Sequence, residues 1–116
     1  MATVTWIKST ANDWLPFETF NLSQVKTNGV YVIWHDGKPP WIVRVGQGDI
    51  ATRIREHRND QKILAYRSFG LYVTWATVPA HQLDGVERYL ADKLRPLVGD
   101  RHPDVVPVPV NLPAVA

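Results

Sequence analysis

Apolar positions along the chain switch between continuous, alternating and helical spacing, and each switch marks an element. Gly29–Trp34 (GVYVIW) is an unbroken β-branched and aromatic run, the pattern of a central strand. His35-Asp36-Gly37 follows as a turn. Trp41–Gly46 (WIVRVG) is a second strand, and so short a connection predicts an antiparallel hairpin. After Gly46-Gln47-Gly48 comes Asp49, whose carboxylate suits the free amides of a helix start. A helix is expected over Ile50–Arg58, with Ile50 and Ile54 on one face. Phe69–Val78 (FGLYVTWATV) reads as a third strand, and Pro79 suits the first turn of a second helix. Leu83, Val86, Leu90 and Leu94 form that helix's apolar stripe over His81–Arg95, with Pro96 and Gly99 ending it.

Outside this stretch the pattern is weaker. In residues 1–28, Trp6, Trp14, Phe17, Phe20, Leu22 and Val25 read as anchors laid against a core. The tail, 98–116, is punctuated by proline (VVPVPVNLP) and is expected to be extended. The order strand, strand, helix, strand, helix predicts an α+β fold. Its simplest form is a small antiparallel sheet of three strands, or slightly more, flanked by helices. One domain over 1–116 is expected, with a core at 29–97, an N-terminal extension and a C-terminal tail.

Composition narrows the class. At 116 residues and 45% hydrophobic, the chain suits one domain with one core. With no cysteine it forms neither disulfides nor thiolate metal sites, which fits a reducing cytoplasm. No apolar run approaches the ~20 residues of a membrane span, and MATVTWIKSTANDW lacks the layout of a signal peptide. A soluble, cytoplasmic protein without a membrane partner is expected. Net charge is only +2, but Arg53, Arg55, Arg58, Lys62 and Arg67 crowd one stretch, opposed there by Glu56 and Asp60. Such a patch is either a solvated helix face or a site for a phosphate-bearing partner.

Individual residues sharpen the second possibility. Arg53 and His57 stand four apart on one helix, so they project from one face. An arginine fork matches phosphate oxygens, and histidine exchanges protons near neutral pH; the same pair is also what an ordinary basic helix face would show. Glu87 falls beside the apolar stripe of the second helix, where a carboxylate needs a partner. That partner is either an arginine, Arg53 or Arg55, or a magnesium ion, which takes one or two carboxylates and keeps several waters. Tyr31 lies in a buried-looking strand, where a tyrosine is usually core with its hydroxyl satisfied at an edge. The histidines have no zinc-site spacing, and Gly46-Gln47-Gly48 is too short for a nucleotide-binding loop.

Gly29-Val30-Tyr31, Val45-Gly46, Arg53-x-x-x-His57 and Glu87, in that order and on those elements, resemble the GIY-YIG nucleases. The resemblance covers about Gly29 to Pro96. It implies that Tyr31, Arg53, His57 and Glu87 are catalytic. Tyr31 would activate water, assisted by His57 or a metal-bound hydroxide, its phenol acidified by nearby cations and metal. Arg53 would clamp the phosphate, and Glu87 would hold Mg²⁺ or Mn²⁺. Gly46 matches the second motif's glycine, and Asn111 loosely matches an asparagine found after the last helix in some members. Where the family has its second tyrosine this chain has Arg44. Either Tyr72 replaces the missing hydroxyl, or Arg44 becomes a second phosphate contact, or activity is lost. Arg44, Gly46, Arg55, Arg58, Tyr72 and Asn111 are thus expected to contact substrate. The expected activity is metal-dependent cleavage of nucleic acid, DNA before RNA, selected by structure, by a homodimer or by a targeting partner. The alternative is a non-catalytic module of the same fold that binds nucleic acid or a protein.

Overall fold

The computed structural model describes residues 3–99 and 101–115. Its centre is an antiparallel sheet of four strands, β1 (Leu15–Pro16), β2 (Asn28–His35), β3 (Trp41–Asp49) and β4 (Leu71–Thr77), in the order β1-β4-β2-β3. The β2–β3 hairpin is antiparallel, as the short connection requires, and β2 is central. Seven of its eight residues are buried, because it is covered on both faces. β1 adds two residues at one edge, opposite Val73 and Tyr72. β3 forms the other edge and runs three residues beyond Gly46.

The two faces carry separate cores. Tyr31, Ile33, Leu71, Val73 and Trp75 meet Ile50, Ala51 and Ile54 of helix α1 (Ile50–His57) on one face. Val30, Val32, Trp34 and Val45 meet Val86 and Leu90 of helix α3 (Leu83–Leu94) on the other. Asp49 caps α1 as expected: the Thr52 amide and hydroxyl donate to its carboxylate at 3.1 and 2.6 Å.

Three boundaries depart from the sequence pattern. Phe69 belongs to a 3₁₀ turn, Arg67–Phe69, and Gly70 follows at φ 85°, so the last strand starts at Leu71. The second helix opens with another 3₁₀ turn, Ala80–Gln82, and Pro79 precedes it. A single helical turn, α2 (Gln61–Leu64), capped by Asp60, falls between α1 and β4.

The tail is extended but firmly placed. Leu97 and Val98 amides donate to the Ile42 and Val43 carbonyls along the edge of β3, at 3.0 and 2.8 Å. Further on, the Val108 amide donates to the Gly85 carbonyl at 2.9 Å. Gly85 permits this crossing, because a β-carbon there would collide with the Val108 side chain.

Candidate active site

A cleft of about 410 Å³ opens beside β3 and is lined by Tyr31, Arg44, Gly46, Gln47, Gly48, Arg53, His57, Glu87 and Arg101, among others. All four residues expected to be catalytic line it. They arrive from different sides: Arg53 and His57 from α1 on one face of the sheet, Glu87 from α3 on the other. They meet because β3 is an edge strand and carries glycine where side chains would intervene.

Gly46 is paired with Tyr31 across the β2–β3 ladder. A β-carbon at Gly46 would occupy the place of the Tyr31 hydroxyl, so the phenol reaches the cleft over a bare stretch of backbone. Gly48 has φ 130°, and a β-carbon there would stand 3.0 Å from Arg53 Nε. That nitrogen donates to the Gln47 carbonyl at 3.2 Å, which orients the fork. The ion pair between Arg53 and Glu56 is 3.7 Å long and half-exposed, a contact worth little and easily exchanged for a phosphate.

Arg44 owes its direction to a bulge. The ladder pairs Ile33 with Arg44 and Trp34 with Ile42, so Val43 and Arg44 together oppose one residue. Arg44 therefore faces the Tyr31 side. Its guanidinium packs against Gly99 of the tail, where a β-carbon would lie 2.9 Å from Nη1. Its Nε is buried and has no hydrogen-bond partner among the described residues.

The Tyr31 hydroxyl and His57 Nε2 are 2.5 Å apart. Burial and the neighbouring Arg44 push the His57 pKa down to about 4, so the ring is neutral at pH 7 and can accept. Nearby cations and a metal are expected to acidify Tyr31, and of these the described residues supply the cations, Arg44 and Arg53, which do pull its pKa down. Burial raises its pKa, against the pull of Arg44 and Arg53. The phenol is thus the donor and His57 Nε2 the acceptor. That bond selects the His57 tautomer with its proton on Nδ1.

Glu87 is 8% exposed, so the expectation of a buried carboxylate holds. Its partner is neither Arg53 nor Arg55. His102 of the tail places Nδ1 2.9 Å from Glu87 Oε2. An ionised carboxylate only accepts, so the imidazole donates. Oε1 has no protein donor among the described residues. No spacing rule links these two residues, and the sequence carries no local signal for the pair.

Four residues expected to contact substrate lie elsewhere. Arg58 donates from Nε to the Phe17 carbonyl at 2.8 Å and from Nη2 to the Phe20 carbonyl at 2.6 Å. It staples the N-terminal segment to α1. Arg55 faces a separate hollow with Asp49 and Lys26. Tyr72 packs on the α3 face, stacked on Trp34 with ring centroids 5.9 Å apart, and does not line the cleft. Asn111 clips the chain ends: Oδ1 accepts from the Val4 amide at 2.7 Å and Nδ2 donates to the Val4 carbonyl at 3.0 Å. Arg101, which the sequence reading did not single out, lines the cleft instead.

The donor set suits a hard cation at one point only. Among the described residues no group of three or more His, Asp and Glu gathers. Glu87 is the one carboxylate in the cleft lining among the described residues, and its Oε1 has no protein donor there. A single carboxylate completed by water matches the way magnesium binds. No helix of the described residues is long and apolar enough to cross a membrane. No protein-family model matches the chain, and neither a curated protein nor a solved structure matches it.

Proposed function

We propose that the protein is a metal-dependent phosphodiester hydrolase acting on nucleic acid, with DNA the expected substrate. The observation that carries this reading is the shared cleft. A hydrogen-bonded tyrosine–histidine pair, three arginines and one buried carboxylate line or feed a single hollow, although they come from β2, β3, α1, α3 and the tail.

Each group has a role that its surroundings support. Arg53, its fork oriented through Gln47, binds the non-bridging oxygens of the phosphate. Arg44 lines the same hollow and brings a second cation to the phosphate. Tyr31 takes a proton from the attacking water while handing its own to His57 Nε2. The phenol thereby stays neutral throughout. A phosphodiester between Arg44 and Arg53 offsets the two cations that disfavour the imidazolium, so substrate itself raises the basicity of His57. A new P–O bond forms to the water oxygen, the bond to the leaving oxygen breaks, and that oxygen regains a proton from solvent. Glu87 Oε1 would hold Mg²⁺ or Mn²⁺, which when bound polarises the phosphate and stabilises the leaving oxygen.

Arg44 in the second tyrosine position favours one other reading, a non-catalytic module that holds nucleic acid without cutting it. Incubation of the protein with supercoiled and branched DNA, with Mg²⁺ or with EDTA, separates the two. Mg²⁺-dependent nicking that is lost in Arg53→Ala supports the hydrolase. Retarded but uncut DNA in both conditions supports the binding module and overturns the hydrolase.

A further inference from the structure

The strongest unassigned feature is the contact between the tail and α3. We infer that His102 is a positioning residue: it fixes the Glu87 carboxylate so that one oxygen is aimed into the cleft as a cation ligand. This rests on the reading of Glu87 as that ligand.

The geometry supports it in three ways. His102 and Glu87 side chains are only 14% and 10% exposed, and their contact is 2.9 Å. A buried carboxylate with no donor would be free to rotate or to take a proton. One held by a buried N–H at Oε2 presents Oε1 in one direction. Second, His102 is outside the cleft lining and faces an adjoining groove with Arg88 and Arg101. It therefore acts through Glu87 and not on substrate. Third, the tail is fastened at other points as well. It is fastened before His102 by the Leu97 and Val98 amides on β3, and after it by Val108 on Gly85 and by Asn111 on Val4. A contact whose only purpose was to hold the tail would be redundant here. Carboxylates that bind metal are usually held by such outer partners, and losing one costs roughly 10–100-fold in metal affinity.

Mn²⁺ titrated into the full chain and followed by electron paramagnetic resonance of the free ion reads this without any turnover. Wild type should bind one Mn²⁺, and Glu87→Gln should bind none. His102→Leu should lose roughly 10–100-fold in affinity. His102→Asn, which keeps a donor close to the Nδ1 position, should recover most of it. Thermal melts and far-ultraviolet circular dichroism of each variant report folding. A folded His102→Leu protein with wild-type affinity overturns the inference. If His102→Leu does not fold, His102→Ala takes its place: a folded His102→Ala protein with a loss of roughly 10–100-fold upholds the inference and one with wild-type affinity overturns it. Wild type without any bound Mn²⁺ overturns the metal reading of Glu87 itself, and His102 falls with it. Unchanged binding by Glu87→Gln places the ion elsewhere and has the same consequence.

Discussion

Gly46 and Arg53 show how a single residue sets the chemistry of the cleft by what it leaves open. The Tyr31 hydroxyl occupies the position a β-carbon on Gly46 would need. Gly46→Ala must therefore push the phenol away from His57 Nε2. Overpacking of this kind costs about 1–3 kcal/mol of stability, and cleavage should fall further than stability does. Urea unfolding beside a nicking assay checks the two together, and wild-type nicking by a folded Gly46→Ala protein would count against Tyr31 as the proton relay. Arg53→Ala should behave differently. Its ion pair is exposed and long, so melting should hardly change. Loss of the fork should raise the barrier by about 3 kcal/mol, as removal of one preorganised donor does elsewhere. DNA retention should weaken only mildly, because Arg44 and Arg101 remain in the cleft. Retention that collapses together with cleavage would make Arg53 a general binding residue.

At the scale of elements, α1 carries one group, His57, whose titration is linked to folding. Its last residue, His57, has its pKa lowered to about 4 by burial first and by Arg44 second. The unfolded chain takes up a proton near the ordinary value, about 6.5, before the folded one does. Between those values the unfolded state binds more protons, so stability rises with pH across that window and is lost as pH falls from about 6.5 towards 4. The ring is not fully enclosed, and water screening brings the loss to about 1–2 kcal/mol. The difference in urea midpoint between pH 7.5 and pH 4.5 should shrink in His57→Gln. An equal difference in both proteins would assign the dependence to other groups. The helix itself was legible in the sequence, because Asp49 caps it and Ile50 and Ile54 share its buried face. The hairpin and the last helix were legible for like reasons of period and length. What escaped lacks either property. β1 spans two residues and α2 one turn, too short to show a period. Arg58 reads as part of a basic stripe, and only the fold brings it to the Phe17 and Phe20 carbonyls. Tyr31, Arg53, His57 and Glu87 were singled out by resemblance to a known motif set and not by periodicity, and Arg101 and His102 enter through a proline-rich tail whose course no periodicity encodes.

For the whole molecule, the question is whether the two faces of the sheet are joined functionally or only by packing. Arg53 and Glu87 belong to helices on opposite faces, and both line the cleft at the edge of β3. A cation proposed on Glu87 would bind the folded chain alone, because the unfolded chain has no such cleft. Mg²⁺ at ten times its dissociation constant should therefore stabilise the protein by about 1.4 kcal/mol, a rise of roughly 5 °C in Tm for a domain of this size. Glu87→Gln should abolish the rise while leaving the metal-free melt within about 1 kcal/mol of wild type, because the amide oxygen still accepts from His102 and only the charge assistance is lost. Nicking should fall by several orders of magnitude in the same variant. A purely structural Glu87–His102 pair predicts the opposite pattern. Mg²⁺ would then leave the wild-type melt where it is, and Glu87→Gln would lower stability without touching nicking. Melts of both proteins with Mg²⁺ and with EDTA, run beside plasmid nicking, distinguish these patterns. A destabilised Glu87→Gln variant that nicks at the wild-type rate would remove α3 from the chemistry and leave the cleft as a binding surface for the phosphate backbone.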